Sequence, residues 1–233
     1  MLKRSVVNRS IEVAKEVFSR SGLHLPEFAF WTVDEWNGKG AEADEIRDCM
    51  LGWDVTDFGS GDFKNIGRTL FTLRNGRHDD PRYPKSYAEK FILDPEGQRA
   101  PAHFHRSKRE DIINRGTGFI VLELTRSDVH GNPAKGSLTV AIDGVSRTLS
   151  SGDRVKLKPG QSICIHPGTI HQFWGEGGYG FVIGGMMYGV SGEVSSVCDD
   201  RNDNVFIAGN SCRFPKIEED ENPRHFLCQE YPR

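Results

Sequence analysis

The sequence predicts an all-β barrel preceded by a helical extension, and three observations carry that prediction. From residue 53 onward, apolar residues come in short runs rich in Val, Ile, Thr and Phe, bounded by Gly, Pro, Asn or Asp, the pattern of strands joined by turns. The 26 glycines and 11 prolines among 233 residues supply those turns. Before residue 53 the apolar spacing changes to three and four residues, the period of an amphipathic helix. All-β barrels of this length form as one unit, so residues 1–52 are expected to pack as an N-terminal extension on a single barrel domain spanning 53–233.

Val7, Ile11, Ala14, Val17 and Phe18 place an apolar stripe on a helix expected over residues 8–21, with Gly22 and Pro26 beyond its end. The aromatic segment 25–36 has no period and reads as a lid or brace against the barrel, with Trp31 and Trp36 packing in the core. A short helix is expected over 41–49, and strands at 68–74, 87–93, 118–124 and 138–142. Asp143-Gly144 then predicts a two-residue hairpin turn into a strand at 146–149. Residues 153–160 run into a strand at 162–166, residues 179–188 read as one further buried strand, and the acidic stretch 217–222 as a solvated turn.

Composition excludes several classes of function. Thirty-three acidic against 30 basic residues give a net charge of −3, too mild to suggest nucleic acid. No run of about 18 apolar residues exists, so no membrane span is expected. Lys3 and Arg4 are followed by Glu12 and Glu16, which suits neither a signal peptide nor a transit peptide, and a cytoplasmic protein is expected. Cys49, Cys164, Cys198, Cys212 and Cys228 are odd in number and lack CxxC spacing, which points to reduced thiols.

The chemistry concentrates in two separated segments. In an extended strand residues i and i+2 share a face, so His103 and His105 point both rings into one cavity. Glu110 needs only a turn to return an oxygen to the same point, and His171 must arrive from a distant strand. Three imidazoles and a carboxylate leave open positions on a six-coordinate divalent ion, which suits Mn, Fe, Co, Ni or Zn and leaves room for a substrate. Five residues separate Gly97 from His103, and Gly116 and Gly118 follow Glu110, where a turn must fall. Together these resemble the first cupin motif, G-x5-H-x-H-x3-4-E-x6-G, whose last glycine would fall between the two found here. Gly160, Gly168 and His171 match the second, G-x5-P-x-G-x2-H-x3-N, while His166 replaces its proline and Gly175 its asparagine. The resemblance implies a cupin, a double-stranded β-helix or jelly-roll barrel, with His103, His105, Glu110 and His171 as metal ligands.

Such a barrel hosts many functions, so the polar residues around the ligands must decide. Lys90 alternates with Phe91 on its strand and so turns its amine to a different face from that ring. Lys90, Gln98 and Asp203 are candidate substrate contacts, as is His166, just before the Pro167-Gly168 turn. Glu193 and the acidic cluster 199–203 follow the strand expected to flank His171. A cavity of imidazoles, carboxylates, amines and an amide suits a polyhydroxylated ligand such as a sugar. His24, His78, His130 and His225 show no partner and are expected at the surface.

The chain as a whole resembles the D-lyxose ketol-isomerases of the cupin superfamily. The resemblance runs from the N-terminal helix and Pro26-x-Phe28-x-x-Trp31-Thr32 through His103-x-His105-x4-Glu110 and His166-Pro167-Gly168-Thr169-Ile170-His171. It continues to Gly192-Glu193-Val194-Ser195, Asp199-Asp200 and Asp203-Asn204, and so covers nearly all 233 residues. It implies reversible aldose–ketose conversion, D-lyxose to D-xylulose and D-mannose to D-fructose, with Mn²⁺ as the metal and a homodimer as the assembly.

Moving a carbonyl from C1 to C2 requires removal of the C2 proton, and a divalent ion holding O1 and O2 stabilises the enediolate as a Lewis acid. A carboxylate within hydrogen-bond reach then shuttles the proton from C2 to C1 while a Lys or His assists the oxygens. Glu193 or an acid of the 199–203 loop such as Asp200 is the candidate base, with Lys90 and Lys108 the candidate donors. A metal-mediated hydride shift is the competing path. An Fe(II) cupin dioxygenase would carry the same ligand set, and a non-catalytic sugar-binding cupin would bind without turnover.

Overall fold

The computed structural model describes residues 1–176 and 180–232. Three α-helices come first, α1 (Arg4–Arg20), α2 (Val33–Asn37) and α3 (Asp44–Asp48), with 3-10 turns at Glu27–Ala29 and Ala41–Ala43. The strands are β1 (Gly52–Thr56), β2 (Arg68–Arg74), β3 (Tyr87–Pro95), β4 (His103–His105), β5 (Glu110–Asn114), β6 (Phe119–Ser127), β7 (Pro133–Ala134) and β8 (Ser137–Ile142). After these come β9 (Val145–Ser150), β10 (Asp153–Leu157), β11 (Ser162–Ile165), β12 (Thr169–Glu176), β13 (Phe181–Ile183), β14 (Met186–Ser196) and β15 (Asn204–Phe206). No helix among the described residues is long and apolar enough to cross a membrane.

The named strands pair antiparallel in two sheets, one ordered β1-β2-β3-β14-β5-β11-β8-β9 with β13 beside β14, the other β10-β6-β12-β4-β15 with β7 beside β6. Leu70, Ile92, Ile112 and Ile163 of the first sheet and Leu122, Leu124, Leu157 and Phe173 of the second form one buried cluster, so the inner faces oppose each other as a jelly-roll barrel. The outer face of β1–β3 is buried as well. Phe71, Phe91 and Leu93 there join Trp53 and the stripe of α1, Val7, Ile11, Ala14, Val17 and Phe18. Burial on both faces explains why β1 is buried along its whole length.

Helix α1 starts four residues before the expected position, and the reason lies at the other end of the chain. Lys3 gives no side-chain cap, so the first free amides need acceptors from elsewhere. The Arg4 amide donates to Glu218 O at 2.9 Å and the Ser5 amide to Asp220 Oδ1 at 2.9 Å. Glu219 and Glu230 clasp the Arg4 guanidinium at 2.7 and 2.6 Å. The acidic stretch 217–222 is therefore a clasp on α1 and not a freely solvated turn, and its negative charge suits the positive end of the helix.

Three further expectations need correction. The segment 25–36 is not irregular throughout: Thr32 and Glu35 build a reciprocal capping box that starts α2. Residues 179–188 do not form one strand. Tyr179 lies outside the described residues, and Gly184 and Gly185, at φ +58° and +80°, turn the chain so that β13 folds back on β14. His225 is buried, its Nδ1 2.8 Å from Trp31 O and its Nε2 2.6 Å from Lys15 Nζ. By contrast, Asp143 and Gly144 adopt positive φ and join β8 to β9 as expected. Trp36 is buried and stacks on Tyr231 at 4.0 Å, whereas Trp31 is half-buried.

Candidate active site

Strand β4 lies between β12 and β15, which sets His103 directly opposite His171 on one side and Phe206 on the other. The rings of His103 and His171 are 4.5 Å apart between centroids, those of His103 and His105 5.2 Å, and those of His105 and His171 5.5 Å. One ligand nitrogen from each of the three falls within 4.8 Å of the others. His103 Nδ1 lies 2.8 Å from Pro101 O and His171 Nδ1 2.9 Å from Thr169 O. Each contact needs the proton on Nδ1, which leaves the Nε2 lone pair facing the shared point.

Glu110 opens β5, between β11 and β14, and reaches the same point. Its Oε1 is 2.8 Å from His171 Nε2 and its Oε2 3.4 Å from His105 Nε2. Glu110 Oε1 and His171 Nε2 are both buried and make no hydrogen bond among the described residues. A carboxylate oxygen facing an imidazole lone pair at that distance is repulsive unless a cation lies between them. Three imidazole nitrogens that converge in this way could hold a divalent metal ion, with the Glu110 carboxylate beside them.

Asp203 shapes the turn between His105 and Glu110. It accepts from the Ser107 amide and hydroxyl at 2.7 Å each and from the Lys108 amide at 3.2 Å, and it approaches His105 Nδ1 at 3.5 Å. It thus supports a ligand from behind. The turn delivers Lys108 to the cavity, where Nζ lies 2.7 Å from both Glu110 Oε2 and Glu193 Oε1. Glu193 comes from β14, opposite Lys90 on β3 and Ile112 on β5. Lys90 Nζ is 3.5 Å from Glu193 Oε1 and 3.6 Å from Asp200 Oδ2; Asp200 Oδ2 is 3.7 Å from Arg213, which pairs with Asp54 on β1. Asp54, Arg213, Asp200, Lys90, Glu193, Lys108 and Glu110 thus form an unbroken alternation of sign through the barrel.

These pairings fix the charge states. Against the cost of burial, the Lys108 ammonium holds Glu110 well below the usual carboxylate range. Lys108 and Lys90 lower Glu193 in the same way, and Lys90 and Arg213 hold Asp200 far down. Burial pushes His103 well below an ordinary imidazole, as do His171 and His105, so it is neutral and free to ligate at neutral pH. Asp54 differs: burial pushes it up to about 6 despite Arg213.

Lys90, Lys108, Glu193 and Asp200 line one cavity with His103, His105, Glu110 and His171. Two other sequence candidates fall elsewhere. Gln98 is buried, but its Nε2 donates to Phe63 O at 2.5 Å and it is absent from the cavity wall. His166 is exposed beyond the end of β11, its Nδ1 3.1 Å from Arg109 Nη2. Arg68, Arg213, Phe58 and Phe206 also line the cavity and were not anticipated. For Arg68 a signal existed, since it shares a strand face with Leu70; Arg213 lies in a loop without pattern. Arg68 is held by Asp94 at 2.9 Å and lies over the Phe173 ring at 4.2 Å. Arg213 Nη1 is buried and has no hydrogen-bond partner among the described residues.

The chain is similar to known proteins along its whole length. A sequence profile described as D-lyxose isomerase matches residues 2–231. A D-lyxose/D-mannose isomerase of Serratia proteamaculans is 45% identical over 233 residues, covering 100% of this chain and 99% of that protein. Another, from Escherichia coli O157:H7, is 43% identical over 231 residues, 99% of this chain and 98% of that protein. Among solved structures, Cellulomonas parahominis L-ribose isomerase with L-psicose superposes with a TM-score of 0.60 at 14% identity, covering 93% of this chain and 98% of that one. That likeness establishes the shared cupin-like fold.

Proposed function

The chain belongs to the D-lyxose isomerase family, and from that premise we propose that it interconverts D-lyxose with D-xylulose and D-mannose with D-fructose by proton transfer through an enediol. Membership makes it an aldose–ketose isomerase and leaves the dioxygenase and the non-catalytic binder without support. The observation that carries the mechanistic part is the Lys108 ammonium placed 2.7 Å from both Glu110 and Glu193 beside three converging imidazoles.

His103, His105, Glu110 and His171 would hold the divalent ion, Mn²⁺ in this reading. Bound there, it would supply Lewis-acid stabilisation of charge developing on O1 and O2. Glu193 acts as the base, taking the proton from C2 and returning it to C1; it is ionised at neutral pH because Lys108 and Lys90 offset its burial. Ser195 Oγ lies 3.1 Å from Glu193 Oε1 and 2.8 Å from Ser196 O, so its single proton is shared between the base and the backbone. Lys108 stays protonated, since Glu110 and Glu193 raise it well above an ordinary amine despite burial, and so donates to the sugar oxygen that gains charge. Lys90, Asp200 and the unused Arg213 donor bind the more distant hydroxyls. Asp203 supports His105 and the 106–109 turn, and Gln98 and His166 take no part.

The described cysteines are all free thiols, which supports a reducing compartment such as the cytoplasm. A homodimer, carried by the family resemblance, completes the proposal. The test is incubation of metal-loaded protein with D-lyxose and D-mannose in D₂O. Ketose with solvent deuterium at C1, lost on chelation and restored by Mn²⁺, is expected. Ketose without deuterium would replace proton transfer by a hydride shift, and absence of ketose would reject the function.

A further inference from the structure

Lys90 and Asp200 line the site on one side and, on the other, a second cavity of about 660 Å³ bounded by Thr72, Asn75 and Cys198. Cys198 stands at the boundary. Its backbone is pinned by Asn75, which accepts from the Cys198 amide at 3.0 Å and donates to its carbonyl at 2.9 Å. The thiol accepts from Lys90 Nζ at 2.8 Å and donates to Asp200 Oδ1 at 3.3 Å.

Lys90 meanwhile stands off from its carboxylates, at 3.5 Å from Glu193 and 3.6 Å from Asp200. A direct ammonium–carboxylate contact is about 2.7–2.9 Å, the distance Lys108 reaches with Glu193 at 2.7 Å. In a dry interior the direct pair is strongly favoured, so something must hold Lys90 back. Among the described residues its one hydrogen bond goes to the Cys198 thiol.

We propose that Cys198 is a positioning residue for the isomerisation, its thiol fixing the Lys90 ammonium between Glu193 and Asp200 so that Lys90 faces the sugar instead of collapsing onto the base. The proposal rests on the assignment of Glu193 and Lys90 to the reacting site. Sulfur suits the task because a neutral thiol can accept from the ammonium and at the same time donate to Asp200, holding the lysine between its two carboxylates without adding a third negative charge. Burial pushes the thiol up to about 12, which keeps it neutral and able to donate to Asp200.

The test compares the Mn²⁺-loaded wild type with Cys198→Ala and Cys198→Ser, by kinetics on D-mannose and by crystallography. In Cys198→Ala, Lys90 Nζ is expected to close to about 2.9 Å from Glu193 or Asp200, and kcat to fall roughly tenfold with KM within about twofold. Cys198→Ser, whose hydroxyl can make both bonds, should recover most of that loss. A merely structural thiol would lower the melting temperature and leave kcat alone. Unchanged kcat in the alanine variant, or a Lys90 that does not move, overturns the proposal. A wild type that turns over neither sugar would instead reject the function, and the position of Lys90 in the Cys198→Ala crystal would then decide this inference alone.

Discussion

Strands β2 and β3 present two faces that are buried to the same degree and built by opposite rules. Toward α1 they show Phe71, Phe91 and Leu93, in a cluster with Phe18 and Trp53 that is wholly apolar. Toward the second sheet they show Arg68, Leu70, Lys90 and Ile92, where charge alternates with hydrocarbon. Phe71 is 0% exposed and Lys90 3%, so burial does not separate structure from chemistry here. The partners do. The outer face stabilises by excluding water, while the inner face holds close buried charges that a packed core would avoid.

Substitutions should therefore divide by face. The largest effect is expected within the inner one: Glu193→Gln should lower kcat by about 10²–10⁴-fold while far-UV circular dichroism stays that of the wild type. Retained turnover would move the base elsewhere. On the outer face, Phe71→Ala should cost about 3–5 kcal/mol in urea unfolding, with KM for D-mannose in the folded fraction essentially unchanged; a stability loss without this split would erase the distinction between faces.

Asp203→Asn probes the support behind the inner face. It weakens the hold on the 106–109 turn and on His105, so titration calorimetry should find metal affinity reduced by about 10–100-fold. Equal affinity would show that the turn needs no anchor.

The smallest effect concerns the N-terminal cover. Burial depresses His225 below its ordinary value of 6.5, with Lys15 adding to that and Trp31 and Glu12 opposing. A depressed folded value means that the unfolded chain binds the proton first. The stability it contributes is complete above 6.5 and declines as pH falls below that value. Denaturant midpoints for wild type and His225→Gln should converge on acidification, and parallel curves would rule this out.

The apolar stripe of α1 and the convergence of His103 and His105 were legible because each repeats at the period of its own element: three and four residues along α1, two residues at His103 and His105. Lys90 and Glu193 were legible by position beside the ligands. Arg213 was not, since it reaches the cavity from a loop and its partner Asp54 lies on the first strand. The clasp on α1 leaves no local signal for a related reason, its carboxylates lying 215 residues from the Ser5 amide and the Arg4 guanidinium they serve. The Gly184-Gly185 turn was hidden within an apolar run whose two halves pair with each other. Periodicity reveals faces, and long-range charge pairing leaves no period to read.

The most direct test of the account is diffraction from Mn²⁺-loaded crystals with data collected to reveal anomalous scattering by manganese. One anomalous peak is expected at bonding distance from His103, His105, Glu110 and His171, with Lys108 and Glu193 on its open side and coordination positions left to solvent or sugar. A peak elsewhere, or one enclosed by protein ligands alone, would contradict it.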